Sequence, residues 1–314
     1  MLRCRHCGYT AEKEDFEFHK DTGYWCPDCD GFTFFDSAQM PRYWIILEDK
    51  QSSETVDTSG SRYLSPLRYP GGKSKLAPYI SSLCRQDHME HFCEPFCGGA
   101  SVGLFLLLED KIGSLHINDL DRGVYALFTS LQDEKQYRRL KNLLRRTQRL
   151  EKKWFLEARD AMNNGYPGLS LADTAYVFLT LNRMAYSGIV KGGCMSDAQV
   201  RWNPDTLVKR LDAIHAKADR IFTYNMDALD FIEEKYWLKH CTLFIDPPYY
   251  ANHAECLYNH SYSAQEHVNL SGLLSSLYRS FPCADMIVTY DFCKEIEEMY
   301  DDADEIVIGR KYTI

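Results

Sequence analysis

Apolar runs of four or five residues recur along most of the chain and alternate with longer stretches of helical periodicity. The apolar runs Phe92–Phe96, Leu115–Asn118, Arg220–Tyr224, Thr242–Ile245, Met286–Tyr290 and Glu305–Ile308 predict β-strands. Helical patterns over Ala100–Glu109, Arg122–Leu131 and Ser263–Arg279 follow several of them. Strands alternating with helices predict an α/β fold built on a largely parallel sheet. One block breaks the alternation, because no convincing strand appears between Glu134 and Ala218, and a helical subdomain is therefore expected as an insert.

Ahead of this region the pattern changes. Residues 1–47 are rich in cysteine, aromatic and turn residues, with strand-like runs at Phe32–Phe35 and Tyr43–Leu47. Residues 48–62 are polar and aperiodic and read as a linker. The expected organisation is a small module over 1–47, a linker over 48–62, a core in two parts over 63–133 and 220–314, and a helical insert over 134–219.

Composition adds limits. Hydrophobic residues make up 45% and charged residues 26% of the chain, which is ordinary for a globular protein. The longest apolar run, Val102–Leu108, is too short to cross a bilayer. No apolar segment follows the charges of the N-terminus, so no secretory signal is read and a cytoplasmic location is expected. A net charge of −9 opposes a nucleic-acid coat over the whole surface but leaves room for a local basic face.

Four of the twelve cysteines form two close pairs, Cys4-x2-Cys7 and Cys26-x2-Cys29. Each turn presents two thiolates, two such turns complete a tetrahedron around zinc, and the module over 1–47 therefore reads as a zinc ribbon. Gly8 and Asp30-Gly31 permit the tight turns. Such a site is closed, hence structural, and the metal supplies stability that so small a segment cannot draw from a core. A redox pair would need a thioredoxin-like context, and His6 and His19 read as bystanders. The other eight cysteines (84, 93, 97, 194, 241, 256, 283 and 293) lie scattered in apolar contexts, as free buried thiols do.

Four motifs carry the chemistry. Arg68-Tyr-Pro-Gly-Gly-Lys73 opens a helix, and Glu94-Pro-Phe-Cys-Gly-Gly-Ala-Ser101 lies at a strand-to-helix junction. Asn118-Asp119 ends the next strand, about 25 residues after Glu94, a spacing that suits a ribose diol. Asp246-Pro-Pro-Tyr249 follows a buried strand, where two prolines stop the sheet and fix a rigid loop at the end where α/β folds bind ligands. Asp246 and the carbonyl of Pro247 are acceptors that can hold the two hydrogens of an exocyclic amine, Pro248 stiffens the loop, and Tyr249 offers a face for a base.

From Tyr63 to about Arg310 the chain resembles the Dam-type DNA adenine N6-methyltransferases, whose motifs run in the same order. That resemblance implies a Rossmann-like core with a helical DNA-recognition insert, double-stranded DNA as substrate and S-adenosylmethionine as cofactor. It implies cofactor contacts at Tyr69, Gly72 and Lys73, with a floor formed by Glu94, Pro95, Phe96, Gly98 and Ser101. Asp119 is implied at the ribose, Asp227 at the cofactor adenine, and Asp246 at both cofactor and base. Leu181-Asn-Arg-Met-Ala-Tyr-Ser-Gly188 matches the Leu-Asn-Arg segment of the recognition region, and Tyr258-Asn-His-Ser-Tyr-Ser263 matches the segment after the catalytic loop. Three departures stand out. Ala228 replaces a frequent aromatic, Val190–Met195 replaces a basic stretch, and a further strand expected after Ile314 is either missing or supplied by a partner.

Residues 138–153 hold eight basic residues and one acid, with leucines at 140, 143, 144 and 150, and predict one helix with a basic outer face. Arg138, Arg139, Arg145, Arg146 and Arg149 are candidate phosphate contacts, and Arg183, Lys191 and Arg201 are further DNA-binding candidates. The N-terminal module, with five basic residues against more acids, suits a protein partner as well as DNA. Two other readings compete with adenine methylation of DNA. One is amino methylation of cytosine or of RNA; the other is a binding protein with a degenerate core.

Overall fold

The computed structural model describes the chain except positions 1, 5, 6, 8, 20–22, 30, 34–40, 70, 196–200, 251–261, 281–282 and 310–314. Gly8, Asp30, His6, Phe34, Phe35, Pro70, Cys256 and positions 258–261, all singled out from the sequence, lie outside the described residues.

The N-terminal module consists of very short antiparallel strands. β1 (Leu2–Arg3) pairs with β2 (Thr10–Ala11), and β3 (Glu17–His19), β4 (Gly23–Trp25) and β5 (Phe32–Thr33) form a second small sheet. Its apolar centre is Cys4, Phe16 and Cys26, with Ala11 and Tyr24 packed against them. So few buried side chains cannot stabilise a free-standing domain.

Seven parallel strands form the main sheet: β6 (Tyr43–Asp49), β7 (His91–Glu94), β8 (Ser114–Asn118), β9 (Ile221–Tyr224), β10 (Cys241–Ile245), β11 (Asp285–Asp291) and β12 (Asp304–Gly309). Their order across the sheet is β12-β6-β11-β10-β7-β8-β9. The helices are α1 (Ala77–Leu83), α2 (Ser101–Leu108), α3 (Arg122–Ser130), α4 (Glu134–Arg146), α5 (Lys152–Asn163), α6 (Leu171–Met184), α7 (Pro204–His215), α8 (Ala228–Lys235), α9 (Ala264–Ser280) and α10 (Lys294–Met299). They cover both faces, as a parallel sheet requires. Along the strands the pleat sends alternate residues to opposite sides. Ile46, Phe92, Leu115, Phe244 and Ile287 join one core with α1 to α7. Tyr43, Ile45, Leu47, Leu243, Ile245 and Val288 join the other with α8, α9 and α10. All six strands predicted for the core are present, and the Rossmann-like α/β class holds.

The expected boundaries at 47 and 48 are corrected. Tyr43–Asp49 is not the last strand of the N-terminal module but an interior strand of the main sheet, where it pairs in parallel with β11 on one side and β12 on the other. The alternation in Tyr-Trp-Ile-Ile-Leu is that of a strand buried on both faces, and the acids after it mark the carboxyl edge of the sheet rather than a linker. β6 lies between β11 and β12 in the sheet.

Between Glu134 and His215 the chain forms α4 to α7, whose buried residues are continuous with those of the core, and α6 packs along α3. The single helix expected over 138–153 is two. α4 stops at Arg146, where Thr147 turns its hydroxyl back onto the Leu143 carbonyl and gives its own carbonyl to the Trp202 indole, 2.7 Å away.

Candidate active site

Strand order reverses between β7 and β10, and a cleft opens at their carboxyl ends, where doubly wound sheets bind ligands. One wall is the glycine loop between β7 and α2. Gly98 and Ala100 both adopt left-handed backbone, at φ +46° and +47°. A side chain at Gly98 would sit 2.7 Å from the Tyr69 ring, so only glycine lets that ring lie against the loop. The loop is held from below. Asp119 accepts the Gly98 N–H on Oδ2 and the Asp121 N–H on Oδ1, both at 2.8 Å. Asn118 donates to the carbonyls of Pro95 and Met226, tying the turn after β7 to the one after β9.

Two carboxyls in this wall are poised near neutrality. Burial raises Glu94 to about 8, with the charge of Asp246 adding to the shift and the Gly103 N–H opposing it. Burial and the neighbouring Asp121 raise Asp119 to about 7, against the two backbone N–H groups. Gly103 is obligatory for this packing, because a Cβ there would come within 2.4 Å of Leu115 and 3.0 Å of the Glu94 carboxylate.

The opposite wall is a charge cluster. Lys73 Nζ donates to Asp246 Oδ1 at 2.7 Å and to the Gly71 carbonyl at 3.0 Å, and it lies 3.4 Å from Glu48 Oε1. Thr289 Oγ1 donates to the same Asp246 oxygen at 2.7 Å. Burial alone would depress the Lys73 ammonium, but Asp246 and Glu48 outweigh it and hold it above the ordinary lysine range. Tyr249 places its ring 5.8 Å from that ammonium, and Phe96 meets Tyr262 edge-on at 5.3 Å. Tyr69, Gly72, Lys73, Glu94, Pro95, Phe96, Gly98, Ser101, Asp119, Asp246, Pro247, Pro248 and Tyr249 thus share one cleft.

Residues 69–314 match the family model described as D12 class N6 adenine-specific DNA methyltransferase, over well more than half of the chain. The chain belongs to this family. It is an adenine-specific DNA methyltransferase, and membership implies DNA as substrate and S-adenosylmethionine as methyl donor. No curated protein matches the chain.

In this methyltransferase one expected cofactor residue stands apart. Asp227 is exposed and caps α8 through the Leu229 N–H, while its neighbour Ala228 lines the cleft. Sequence reasoning missed Glu48, Thr289, Tyr262 and Leu120. Glu48 lies before the family match, in a stretch whose polar sequence reads as a linker. Thr289 carries no motif, and only the pairing of β11 with β10 brings it beside Asp246.

The basic candidates divide. Arg138 pairs with Glu134 and Arg139 with Asp173, whereas Arg145, Arg146 and Arg149 are exposed and have no ion pair among the described residues. Lys191 is exposed. Arg183, by contrast, is buried at the end of α6. It is 9% exposed and donates to the Pro66 carbonyl, because α6 buries its last turn under the segment that precedes Tyr69. Arg201 is half-buried before α7.

At the N-terminus the Sγ atoms of Cys4, Cys7, Cys26 and Cys29 all lie within 4.8 Å of one another. Cys4–Cys29 measures 3.5 Å and Cys7–Cys26 3.7 Å. A tetrahedron with metal–sulfur bonds of about 2.3 Å has edges of about 3.8 Å, so the donor set fits zinc. Among the described residues no helix is long and apolar enough to cross a membrane.

Proposed function

We propose that the cleft binds S-adenosylmethionine along Tyr69–Ser101 and Asp119, and that an adenine extruded from duplex DNA is held by Asp246, Pro247 and Tyr249. One observation carries this reading. Among the described residues the hydrogen bonds to Asp246, from Lys73 and Thr289, both fall on Oδ1, which fixes the carboxylate and would let Oδ2 serve as an acceptor in the cleft that Asp246 lines.

The N6 lone pair of adenine is delocalised into its ring, and the amine is a poor nucleophile. Oδ2 of Asp246 would accept one N6 hydrogen and the Pro247 carbonyl the other, which favours a tetrahedral nitrogen with an available lone pair. Tyr249 would stack on the base, worth about 1–3 kcal/mol against an unstacking cost of a few kcal/mol. The cofactor supplies a methyl group already activated by its sulfonium, so positioning is the main task of the protein. Phe96, Leu120 and Ala228 give apolar faces for a purine, Asp119 a carboxylate for the ribose hydroxyls, and Glu94 a buried acid whose ionisation a bound cation would favour. Asp227 would reach the cofactor amine from the rim.

Zinc held by Cys4, Cys7, Cys26 and Cys29 would stabilise the N-terminal module, on the order of 10 kcal/mol. DNA would lie across the helical block, with Arg145, Arg146 and Arg149 as the phosphate contacts freest to act. A protein partner for the N-terminal module also belongs to this proposal.

The test is transfer of labelled methyl groups to unmethylated DNA, followed by nucleoside analysis. Label should appear in N6-methyladenine and vanish with Asp246→Ala. Transfer that survives the substitution would remove Asp246 from the chemistry.

A further inference from the structure

Four arginines gather where the segment before Tyr69 crosses the end of α6 and the middle of α7. Arg183 donates to the Pro66 carbonyl, and Arg210 Nη1 to the Ser65 carbonyl at 2.8 Å. The backbone of Arg68 is clamped by the Asn182 side chain, which accepts its N–H at 2.9 Å and donates to its carbonyl at 2.8 Å. Burial depresses all three of Arg68, Arg183 and Arg210, and the guanidiniums also act on one another, Arg201 on Arg68, and Arg210 and Arg68 on Arg183. None of the four makes an ion pair among the described residues. Two of their nitrogens, Arg183 Nε and Arg201 Nη1, are buried with no hydrogen-bond partner among the described residues.

Such an arrangement is costly unless something completes it. A buried donor without an acceptor and like charges held together both destabilise the free protein. The cluster is graded, with Arg183 at its base, Arg201 and Arg210 at intermediate depth, and Arg68 exposed at the rim, so an anion can enter from solvent. It also adjoins the cleft, since a Cβ on Gly99 would touch Ser65 Oγ at 2.8 Å and the Tyr69 side chain at 3.5 Å.

We infer that Arg68, Arg183, Arg201 and Arg210 form a cradle for a backbone phosphodiester of the DNA strand that enters the cleft. The inference rests on the reading of that cleft as the site of the extruded adenine. Planar guanidinium donors match a phosphate. A phosphate fixed here would set the position of the target nucleotide without reading a base. The exposed arginines of the α4 end would then hold the duplex, while this cradle registers the one strand being modified.

DNA affinity is to be measured by titration at several salt concentrations, with S-adenosylhomocysteine present, for the wild type, Arg201→Gln and Arg68→Gln. Loss of one phosphate contact should lower the slope of log K against log salt by about 0.9, and affinity at 0.1 M salt by about eightfold. Affinity for S-adenosylhomocysteine should not change. Without ligands, Arg201→Gln should melt no lower than the wild type, because one like charge has been removed. Inorganic phosphate should raise the melting temperature of the wild type more than that of Arg201→Gln.

An unchanged salt slope in both variants overturns the cradle. Weakened S-adenosylhomocysteine binding with an unchanged DNA slope also overturns it, and would assign the cluster to the cofactor carboxylate. The two readings separate in this experiment. Should methyl transfer survive Asp246→Ala while the slope still falls, the cradle stands and the catalytic assignment fails. Should Asp246 prove essential while the slope stays fixed, the reverse holds.

Discussion

Replacing Lys73 by methionine preserves the length of the side chain and removes its charge. In the native protein the ammonium sits between Asp246 and Glu48, and the side chains of Lys73 and Glu48 are only 3% and 6% exposed. Its loss leaves two carboxylates facing each other with no cation. Breaking a buried ion pair from one side costs about 3–5 kcal/mol. The variant can avoid that cost by protonating Glu48, which from an ordinary pKa of about 4.3 takes about 1.4 kcal/mol for each pH unit above it, or about 4 kcal/mol at pH 7. At pH 5 the same protonation takes only about 1 kcal/mol. A carboxyl whose folded pKa is raised in this way contributes stability below its unfolded pKa and loses it as pH rises. The penalty of Lys73→Met should therefore be about 4 kcal/mol at pH 7 and about 1 kcal/mol at pH 5. Urea unfolding of the wild type, Lys73→Met, Glu48→Gln and the double variant at both pH values measures this directly. Glu48→Gln should recover most of the loss at pH 7 in the Lys73→Met background. Equal penalties at the two pH values, or substitutions additive to within about 0.5 kcal/mol, would show that Lys73 acts through packing and refute the charge argument.

Gly98→Ala forces a side chain against the Tyr69 ring at a backbone angle that disfavours alanine, so stability should fall by about 1–2 kcal/mol. Affinity for S-adenosylhomocysteine should fall by an order of magnitude or more, and calorimetry that finds it unchanged would remove the loop from the cofactor site. With Asp119 near 7 and Glu94 near 8, the ligand-free protein should lose stability as pH rises from 6 to 8.5, since both folded pKa values are raised. Binding to the ionised Asp119 should weaken as pH falls below 7, by up to about tenfold per unit, and a flat pH profile of the dissociation constant would contradict this. Metal analysis should return one zinc per chain, and chelation should release it with loss of order confined to the N-terminal module. Cys26→Ser that retains full zinc would disprove the four-thiolate site.

Much of the fold is written in short-range pattern. The strands from β7 onward announce themselves as apolar runs ended by glycine, proline or acid, and the four motifs mark the loops at their carboxyl ends. Features that depend on which strands become neighbours are not legible in that way. Thr289 is an ordinary strand residue until β11 is placed beside β10. The break at Thr147 comes from an indole that arrives from position 202 and takes the carbonyl of Thr147. Arg183 reads as a basic residue in a recognition segment, but burial of α6 turns it inward. Glu48 was hidden most completely, because an acid that follows an apolar run and precedes a polar stretch looks the same at a domain boundary and at a sheet edge.

The place of β6 decides where the catalytic unit begins. Judged by motifs, the methyltransferase starts at residue 63, and the family match itself begins at 69. The sheet says otherwise. β6 forms a six-residue parallel ladder on each side, with Met286–Asp291 of β11 and with Asp304–Gly309 of β12. Tyr43, Ile45, Ile46 and Leu47 are each no more than 1% exposed. Burial of such side chains is worth about 1.5–3 kcal/mol apiece, so removing the four forfeits about 6–12 kcal/mol before any ladder hydrogen bond is counted. That equals most of the roughly 5–15 kcal/mol by which a domain is stable. It would also expose the β11 and β12 edges, an invitation to aggregation. A chain truncated to 63–314 should therefore fail to fold, whereas 41–314, which lacks only the cysteine module, should melt cooperatively and bind S-adenosylhomocysteine. If 63–314 instead folds with the melting temperature of 41–314, β6 is a dispensable addition, and the Glu48 carboxylate it carries is no part of the catalytic centre.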